Sequence, residues 1–158
     1  MPNREYWSSD KRFGLKLPET ELARMVGLCK RAKAKETGGI LVGSYSEKHD
    51  CALVKTASKA PRDSQAGPTW FRRGVSGLQR WLKSLWKSKT FYLGEWHFHP
   101  SAAPNPSGTD ISEMSEVARN ESNKCPEPVL IIIGGDPAGD WCLRAFVFLR
   151  GQPYVELF

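Results

Sequence analysis

Apolar residues recur at helical spacing in three segments of the chain, and each segment predicts an amphipathic helix. Their ranges and apolar positions are 18–33 (Leu22, Met25, Val26 and Cys29), 71–88 (Phe71, Val75, Leu78, Leu82, Leu85 and Trp86) and 109–121 (Ile111, Met114, Val117 and Ala118). Pro18 suits a helix start because its φ angle is already helical and it lacks an N–H. The opposite face of the second segment carries only basic charges and is typical of a solvated surface: Arg73, Arg80, Lys83 and Lys87.

Strand-like runs lie before, between and after these helices. They cover 4–16 (a pair with a turn at 8–10), 40–45, 52–57, 90–96, 128–133, 141–149 and 154–158. The second and third runs are joined by a short polar segment, which predicts an antiparallel pair, and the uninterrupted apolar run at 128–133 is expected of a strand buried on both faces. Residues 60–70 and 100–106 are rich in proline or glycine and are interpreted as loops. The alternation predicts an α/β (α+β) fold with a central mixed sheet flanked by about three helices, in a single domain over 1–158.

Composition narrows the class of protein. The chain has 158 residues, 40% of them hydrophobic and 25% charged, which is ordinary for a globular protein. It lacks an apolar run of membrane-spanning length, and residues 1–5 are too polar for a secretory signal, so we expect a cytoplasmic protein. No two of the four cysteines have metal-binding or redox spacing, and we expect Cys29 and Cys142 to be buried free thiols. The net charge of +6 is compatible with nucleic acid, an acidic protein or solubility alone.

The segment after the fourth strand run contains the candidate chemistry. His97 and His99 are two residues apart, so on a strand both imidazoles project from the same face. Asp110, near the start of the next helix, offers a carboxylate oxygen as a third ligand. Two histidines and one aspartate leave a fourth tetrahedral position for water, which is typical of a catalytic zinc site. Each part alone is weak, since Ser107-x-x-Asp110 is equally a helix-capping pattern, as is Asp110-x-x-Glu113.

The neighbours of the histidines leave the catalytic base open. Glu95 shares their face by strand alternation and is a candidate general base from the residues alone. Trp96 and Phe98 alternate to the other face, where core packing is favoured over substrate contact.

Two motifs together resemble the JAB/JAMM (MPN-domain) zinc metallopeptidases. One is His97-x-His99, seven residues, then Ser107-x-x-Asp110; the other is Glu36 just before a glycine-rich strand that begins at Gly38-Gly39. The order of elements resembles the family from about residue 18 to 150. The resemblance implies one Zn²⁺ on the two histidines and Asp110, Glu36 as general base, and Ser107 as oxyanion donor. It favours Glu36 over Glu95, which is then expected to orient a histidine.

Within the family, the chain is similar to small bacterial members, notably the deconjugating isopeptidases of CBASS antiphage operons. This implies removal of a ubiquitin-like protein or a cGAS/DncV-like nucleotidyltransferase from proteins joined to its C-terminal tail, with E1/E2-like proteins as possible operon partners. Such a tail would lie extended along a sheet edge near the metal. Gly38 and Gly39 would allow its close approach, or would equally mark a turn or bulge entering the strand.

Three alternative functions differ from this one in class or in substrate. A non-catalytic MPN scaffold is disfavoured because all five motif positions are present. A nucleic-acid deaminase is excluded by spacing, since His97-Phe98-His99 lacks the glutamate of H-x-E and Cys125 has no partner three residues on. Processing of a sulphur-carrier protein stays open within the family.

Overall fold

Eight strands form one mixed sheet in the computed structural model, which describes residues 2–158. In chain order the strands and helices are β1 (Asn3–Trp7), β2 (Gly14–Pro18), α1 (Glu19–Ala32), β3 (Thr37–Tyr45), β4 (Cys51–Ala57), β5 (Gln65–Ala66), β6 (Phe71–Arg72), α2 (Leu78–Leu85), β7 (Phe91–Pro100), α3 (Gly108–Arg119), β8 (Val129–Gly135), β9 (Trp141–Val147) and β10 (Val155–Leu157). Short 3₁₀ turns follow α2 and α3 at Trp86–Ser88 and Glu121–Asn123. The predicted fold class is confirmed.

The sheet runs in the order β1-β2-β4-β3-β7-β8-β9-β10, while β5 and β6 form a separate two-stranded hairpin. Among the described residues, only the β2–β4 and β7–β8 pairs are parallel. The first and last strands approach each other, because the backbones of Trp7 and Phe158 exchange two hydrogen bonds of 2.8 and 2.9 Å. The two outer edges of the main sheet therefore meet, and β7 lies in its interior.

Helices cover the two faces of the sheet. The stripe predicted for α1 is buried against one face, where it packs with Trp96 and Phe98 of β7 and with Ile131 and Ile133 of β8. On the opposite face, Met114 of α3 packs with a second cluster made by Leu130, Ile132, Phe146 and Phe148. β8 is thus buried on both faces, as its continuous apolar run predicted.

The segment from 60 to 88 differs from the sequence prediction. Residues 65–72 contain a small hairpin where a loop and a helix start were expected, and α2 begins only at Leu78. Phe71 and Val75 of the predicted stripe precede the helix: Gly77, with φ of 78°, stands at the start of α2, and Val75 is 68% exposed. Helical spacing alone did not reveal this later start, because two-residue strands carry no periodic signal.

Cys142 is exposed, so the expectation that it is buried was wrong, whereas Cys29 is buried in α1. Strand alternation explains the difference, since Cys142 lies between Trp141 and Leu143, which pack against the main core. None of the helices within residues 2–158 is long and apolar enough to cross a membrane.

Candidate metal centre

The end of β7 and the start of α3 bring three potential metal ligands together. His97 and His99 project from the face of β7 that α3 covers, and they are 4% and 8% exposed. Asp110 in the first turn of α3 is 6% exposed. One ligand atom from each residue lies within 4.8 Å of the others. Side chains from a strand and from the following helix thus form one compact set of potential metal ligands, the donor set: His97, His99 and Asp110.

A capping box at the start of α3 orients Asp110. The backbone N–H of Ser107 donates to Oδ2 of Asp110 at 2.9 Å, and the N–H of Asp110 donates to Oγ of Ser107 at 3.0 Å. The Ser107-x-x-Asp110 motif can therefore cap the helix and offer a metal ligand at the same time. The local hydrogen bonds hold the carboxylate where the histidines can reach it.

Electrostatics within the donor set favour positive charge. Oδ1 of Asp110 lies 2.9 Å from Nδ1 of His97, and Oδ2 lies 3.4 Å from Nε2 of His99. Burial alone would raise the pKa of Asp110, but the hydrogen bonds from both histidines hold that pKa well below its usual range. Burial alone would lower the pKa of His99, yet the hydrogen bond to Asp110 and the charge of Glu36 raise it. A divalent cation would meet the same preference, and two imidazoles with one carboxylate suit a borderline metal.

Glu36 borders the donor set from the other side. It immediately precedes β3, the neighbour of β7, and its backbone N–H donates to the carbonyl of Gly67 at 2.9 Å. Partial burial raises the pKa of its carboxyl, the histidines lower it, and the charge of Asp110 raises it. The structure therefore brings Glu36, His97, His99 and Asp110 into one electrostatically connected group.

The hydroxyl of Ser107 stands at the exposed rim of the same group. Its oxygen accepts the hydrogen bond from Asp110, while its proton is not assigned to an acceptor among residues 2–158. A serine hydroxyl can accept and donate at once, so helix capping leaves a donor available.

Glu95 does not orient a histidine, and that expectation was wrong. One carboxylate oxygen accepts a 2.5 Å hydrogen bond from Nε of Arg73, and the other accepts a 2.6 Å hydrogen bond from the hydroxyl of Tyr92. Arg73 is therefore partly buried in an ion pair and does not lie on the solvated face predicted for it. The sequence carried no signal for this contact, because Arg73 and Glu95 are 22 positions apart and all of α2 lies between them.

Phe71 is a further neighbour that sequence reasoning assigned elsewhere. Its ring meets the imidazole of His97 edge-on, with ring centres 5.6 Å apart. The β5–β6 hairpin that carries Phe71 thus packs directly on the first histidine.

Gly38 and Gly39 lie inside β3, paired with His97 and Trp96, so the alternative of a turn or bulge at these positions was wrong. A Cβ on Gly38 would collide with the carbonyl of Trp96, and one on Gly39 would collide with the carbonyl of Ser58. The close approach that these glycines permit is that of the chain's own backbone.

Within residues 2–158, the main sheet has no free edge beside His97, whereas His99 and Pro100 pair only with β8. From Gly94 to Phe98, β7 is paired with β3 on one side and with β8 on the other. An extended tail therefore cannot add to the main sheet alongside His97.

These observations describe a candidate metallohydrolase centre: a buried His-His-Asp set with a half-buried glutamate beside it. Residues 18–148 match the family of prokaryotic homologs of the JAB domain, and the chain belongs to that family. It is accordingly a metallopeptidase, and the His-His-Asp set is a candidate site for its metal ion.

Curated relatives agree with this assignment, and a solved structure is similar in fold. The chain is 46% identical over 145 residues to a CD-NTase/cGAS isopeptidase of Enterobacter hormaechei subsp. hoffmannii, covering 92% of this chain and 81% of the relative. It is 27% identical over 135 residues to a probable metalloprotease of Sinorhizobium fredii, covering 83% and 81%. A solution structure of a Desulfitobacterium hafniense protein is similar in fold, with a TM-score of 0.64, 19% identity and coverage of 90% and 87%.

Proposed function

We propose that this chain is a zinc isopeptidase that releases a cGAS/DncV-like nucleotidyltransferase from target proteins joined to its C-terminal tail. The observation that carries the substrate class is the 46% identity, over 92% of the chain, to a protein named CD-NTase/cGAS isopeptidase. The conjugation that such an enzyme reverses requires a ligating system, for which E1/E2-like proteins are the proposed operon partners. By the same proposal the 158 residues act as one catalytic domain, which fits a main sheet built from both ends of the chain.

The donor set supports zinc as the metal. His97, His99 and Asp110 would hold it through two nitrogens and one oxygen, which leaves one tetrahedral position open. A zinc ion would supply Lewis acidity toward the scissile carbonyl and a water of lowered pKa. The capping box at Ser107 would keep the aspartate oriented whether or not the ion is bound.

Glu36 is the proposed proton carrier. Its raised pKa, caused first by partial burial, makes the carboxylate a better base than an exposed glutamate. It would accept the proton of the attacking water and return it to the leaving amine, so that the same group acts first as base and then as acid. Glu95 is not available for that work, because its two oxygens are engaged by Arg73 and Tyr92.

Ser107 is the proposed donor to the oxyanion. Charge develops on the carbonyl oxygen as water attacks, and a hydroxyl already fixed by the helix cap can donate to it without reorganisation. The exposure of Ser107 supports this role, because an exposed hydroxyl is accessible to an approaching substrate.

The basic surface around α2 supports the proposal that the conjugated protein presents an acidic region to this enzyme. The exposed basic side chains there are Arg72, Arg80, Lys83, Lys87 and Lys89. Opposite charges would accelerate association in a manner that weakens with salt.

A fusion substrate tests the proposal directly. The last residues of a CD-NTase/cGAS-like nucleotidyltransferase are joined at their C-terminus to a reporter, and the products are identified by mass spectrometry. We expect cleavage immediately after the tail by wild type and none by Glu36→Gln. A matched control is Glu116→Gln, which removes an exposed carboxylate of the same helix that pairs with Arg119 and not with the proposed ligands; it should retain activity.

Other outcomes identify other functions. Cleavage only after the tail of a ubiquitin-like or sulphur-carrier protein would change the proposed substrate class without contradicting the metallopeptidase assignment. Cleavage within loops of arbitrary unfolded proteins would indicate a general protease and would overturn the deconjugation proposal.

A further inference from the structure

The hairpin of β5 and β6 contacts both sides of the proposed catalytic group. Its Gly67 carbonyl accepts the backbone N–H of Glu36 at 2.9 Å, and its Phe71 ring lies edge-on to His97 with centres 5.6 Å apart. Phe71 also covers Gly38, the residue paired with His97. The position of this hairpin therefore affects where the proposed base stands relative to the first proposed ligand.

The hairpin has little structure of its own to hold it there. Its two strands pair at only two positions, Gln65 with Arg72 and Ala66 with Phe71, and it is separate from the main sheet. A two-stranded ribbon of this size is not independently stable in water. Contacts to the rest of the molecule must fix it.

One such contact is an ion pair at the end of the hairpin. Arg73 follows β6 directly and donates from Nε to Oε1 of Glu95 at 2.5 Å and from Nη1 to the carbonyl of Gly74 at 2.6 Å. Glu95 is 6% exposed and receives a second hydrogen bond, of 2.6 Å, from the hydroxyl of Tyr92. Both Glu95 and Tyr92 belong to β7, the strand that carries the histidines.

We propose that Arg73, Glu95 and Tyr92 form a positioning clamp that locks the β5–β6 hairpin onto β7 and thereby fixes Glu36 relative to His97. The inference rests on the proposed roles of Glu36 and His97. The three residues of the clamp do not touch the reacting atoms; they act through the hairpin. Tyr92 restricts the carboxylate of Glu95 to one orientation, and the planar guanidinium of Arg73 bonds that carboxylate through Nε and the carbonyl of Gly74 through Nη1.

A role of Arg73 and Glu95 in stability can be distinguished from a role in positioning, because the two residues form a buried ion pair. Removal of Arg73 alone leaves the charge of Glu95 buried without its partner, which is strongly destabilising. Removal of both charges relieves that penalty but does not restore the clamp. If the pair only stabilised the fold, turnover would recover together with the melting temperature in the double variant.

The experiment compares Arg73→Met, Glu95→Gln, the double variant and Arg73→Lys with wild type. Arg62→Met serves as the matched control, because Arg62 is an exposed arginine in the same segment and forms no ion pair among residues 2–158. The measurements are hydrogen exchange of the amides in 63–77, melting temperature, metal content and the separate values of kcat and KM on the fusion substrate.

We expect faster exchange in 63–77 for both single variants and for the double variant, and unchanged exchange for Arg62→Met. The kcat should fall about 10-fold to 10²-fold with nearly unchanged KM, as for misplaced catalytic groups, at full metal content. The double variant should melt above Arg73→Met and stay as slow. Arg73→Lys should recover part of the activity, because it restores the charge without the fork.

Unchanged exchange in 63–77, or a kcat in the double variant that recovers with its melting temperature, would overturn the clamp. Loosened exchange with wild-type kcat would equally overturn it. Inactivity of wild type on every conjugate would instead refute the proposed function, and the exchange data would still decide whether Arg73 and Glu95 hold the hairpin.

Discussion

The two faces of β7 differ in what their side chains do, although they alternate along one strand. Trp96 and Phe98 are fully buried in the core against α1, and the indole N–H of Trp96 donates to the carbonyl of Ser58 at 2.8 Å. Glu95, His97 and His99 on the other face are almost as buried, at 6%, 4% and 8% exposure, but they are ionisable. One face supplies apolar burial and the other concentrates charge.

The difference shows how one strand can accommodate buried ionisable side chains. Within residues 2–158, no buried polar side-chain atom lacks a hydrogen-bond partner. The polar face is thus satisfied internally, while the apolar face anchors the same backbone. Substitutions of the proposed ligands should therefore act mainly on metal content and turnover, and substitutions on the apolar face should act mainly on the free energy of unfolding.

Asp110→Ala should have the largest effect. It removes one of three proposed ligands and the acceptor of the capping box, so metal content should fall from about one per chain to near zero, with loss of all turnover. Elemental analysis after dialysis measures the first, and the fusion assay the second. Full metal content in Asp110→Ala would place the metal elsewhere.

Glu36→Gln should be the next largest effect and should separate catalysis from metal binding. The amide keeps the shape of the side chain but cannot accept a proton, so kcat should fall about 10²–10⁴-fold while metal content is unchanged. Glu95→Gln should be milder, because its carboxylate acts through Arg73. If Glu95→Gln is inactive and Glu36→Gln is active, the assignment of the base is wrong.

Much of the β7 region could be predicted from sequence because its signals are local. The two-residue spacing of His97 and His99, the apolar run of β8 and the stripe of α1 each determine a burial pattern by themselves. Trp96 and Phe98 are in the core as predicted. The proximity of Glu36 to the histidines came from the family resemblance, and it depends on the β3–β7 register, in which Thr37 pairs with Phe98.

The segment from 60 to 88 could not be predicted in the same way because its structure depends on distant contacts. Arg73 has the helical spacing of a solvated residue, yet it forms an ion pair with Glu95, which lies 22 positions later in the sequence. Asp63 accepts the N–H groups of Val75 and Ser76 and thereby holds a turn where helical periodicity continues. The cytoplasmic location and the specific role of each site residue stay predictions.

Phe98→Ala should test the apolar face. Truncation of a fully buried phenylalanine in a packed core costs about 3–5 kcal/mol of unfolding free energy. Denaturant titration measures this loss. Metal content per folded molecule should stay near that of wild type, since His97 and His99 project from the other face. Loss of metal in a folded Phe98→Ala protein would show that the two faces are coupled.

Substitution of Ser107 should give the smallest effects. This residue lies at the junction of loop and helix, where it is expected to contribute both to stability and to turnover. Ser107→Ala removes the side-chain acceptor for the N–H of Asp110, a cap worth about 1 kcal/mol. It also removes the proposed oxyanion donor, which should lower kcat about 10²-fold. Ser107→Thr retains the hydroxyl and serves as the control, since threonine also caps helices. Chemical denaturation and kcat measurements on the three proteins separate the two contributions. If the alanine variant loses the cap energy but keeps wild-type kcat, Ser107 only caps α3, and the oxyanion must be stabilised by other groups.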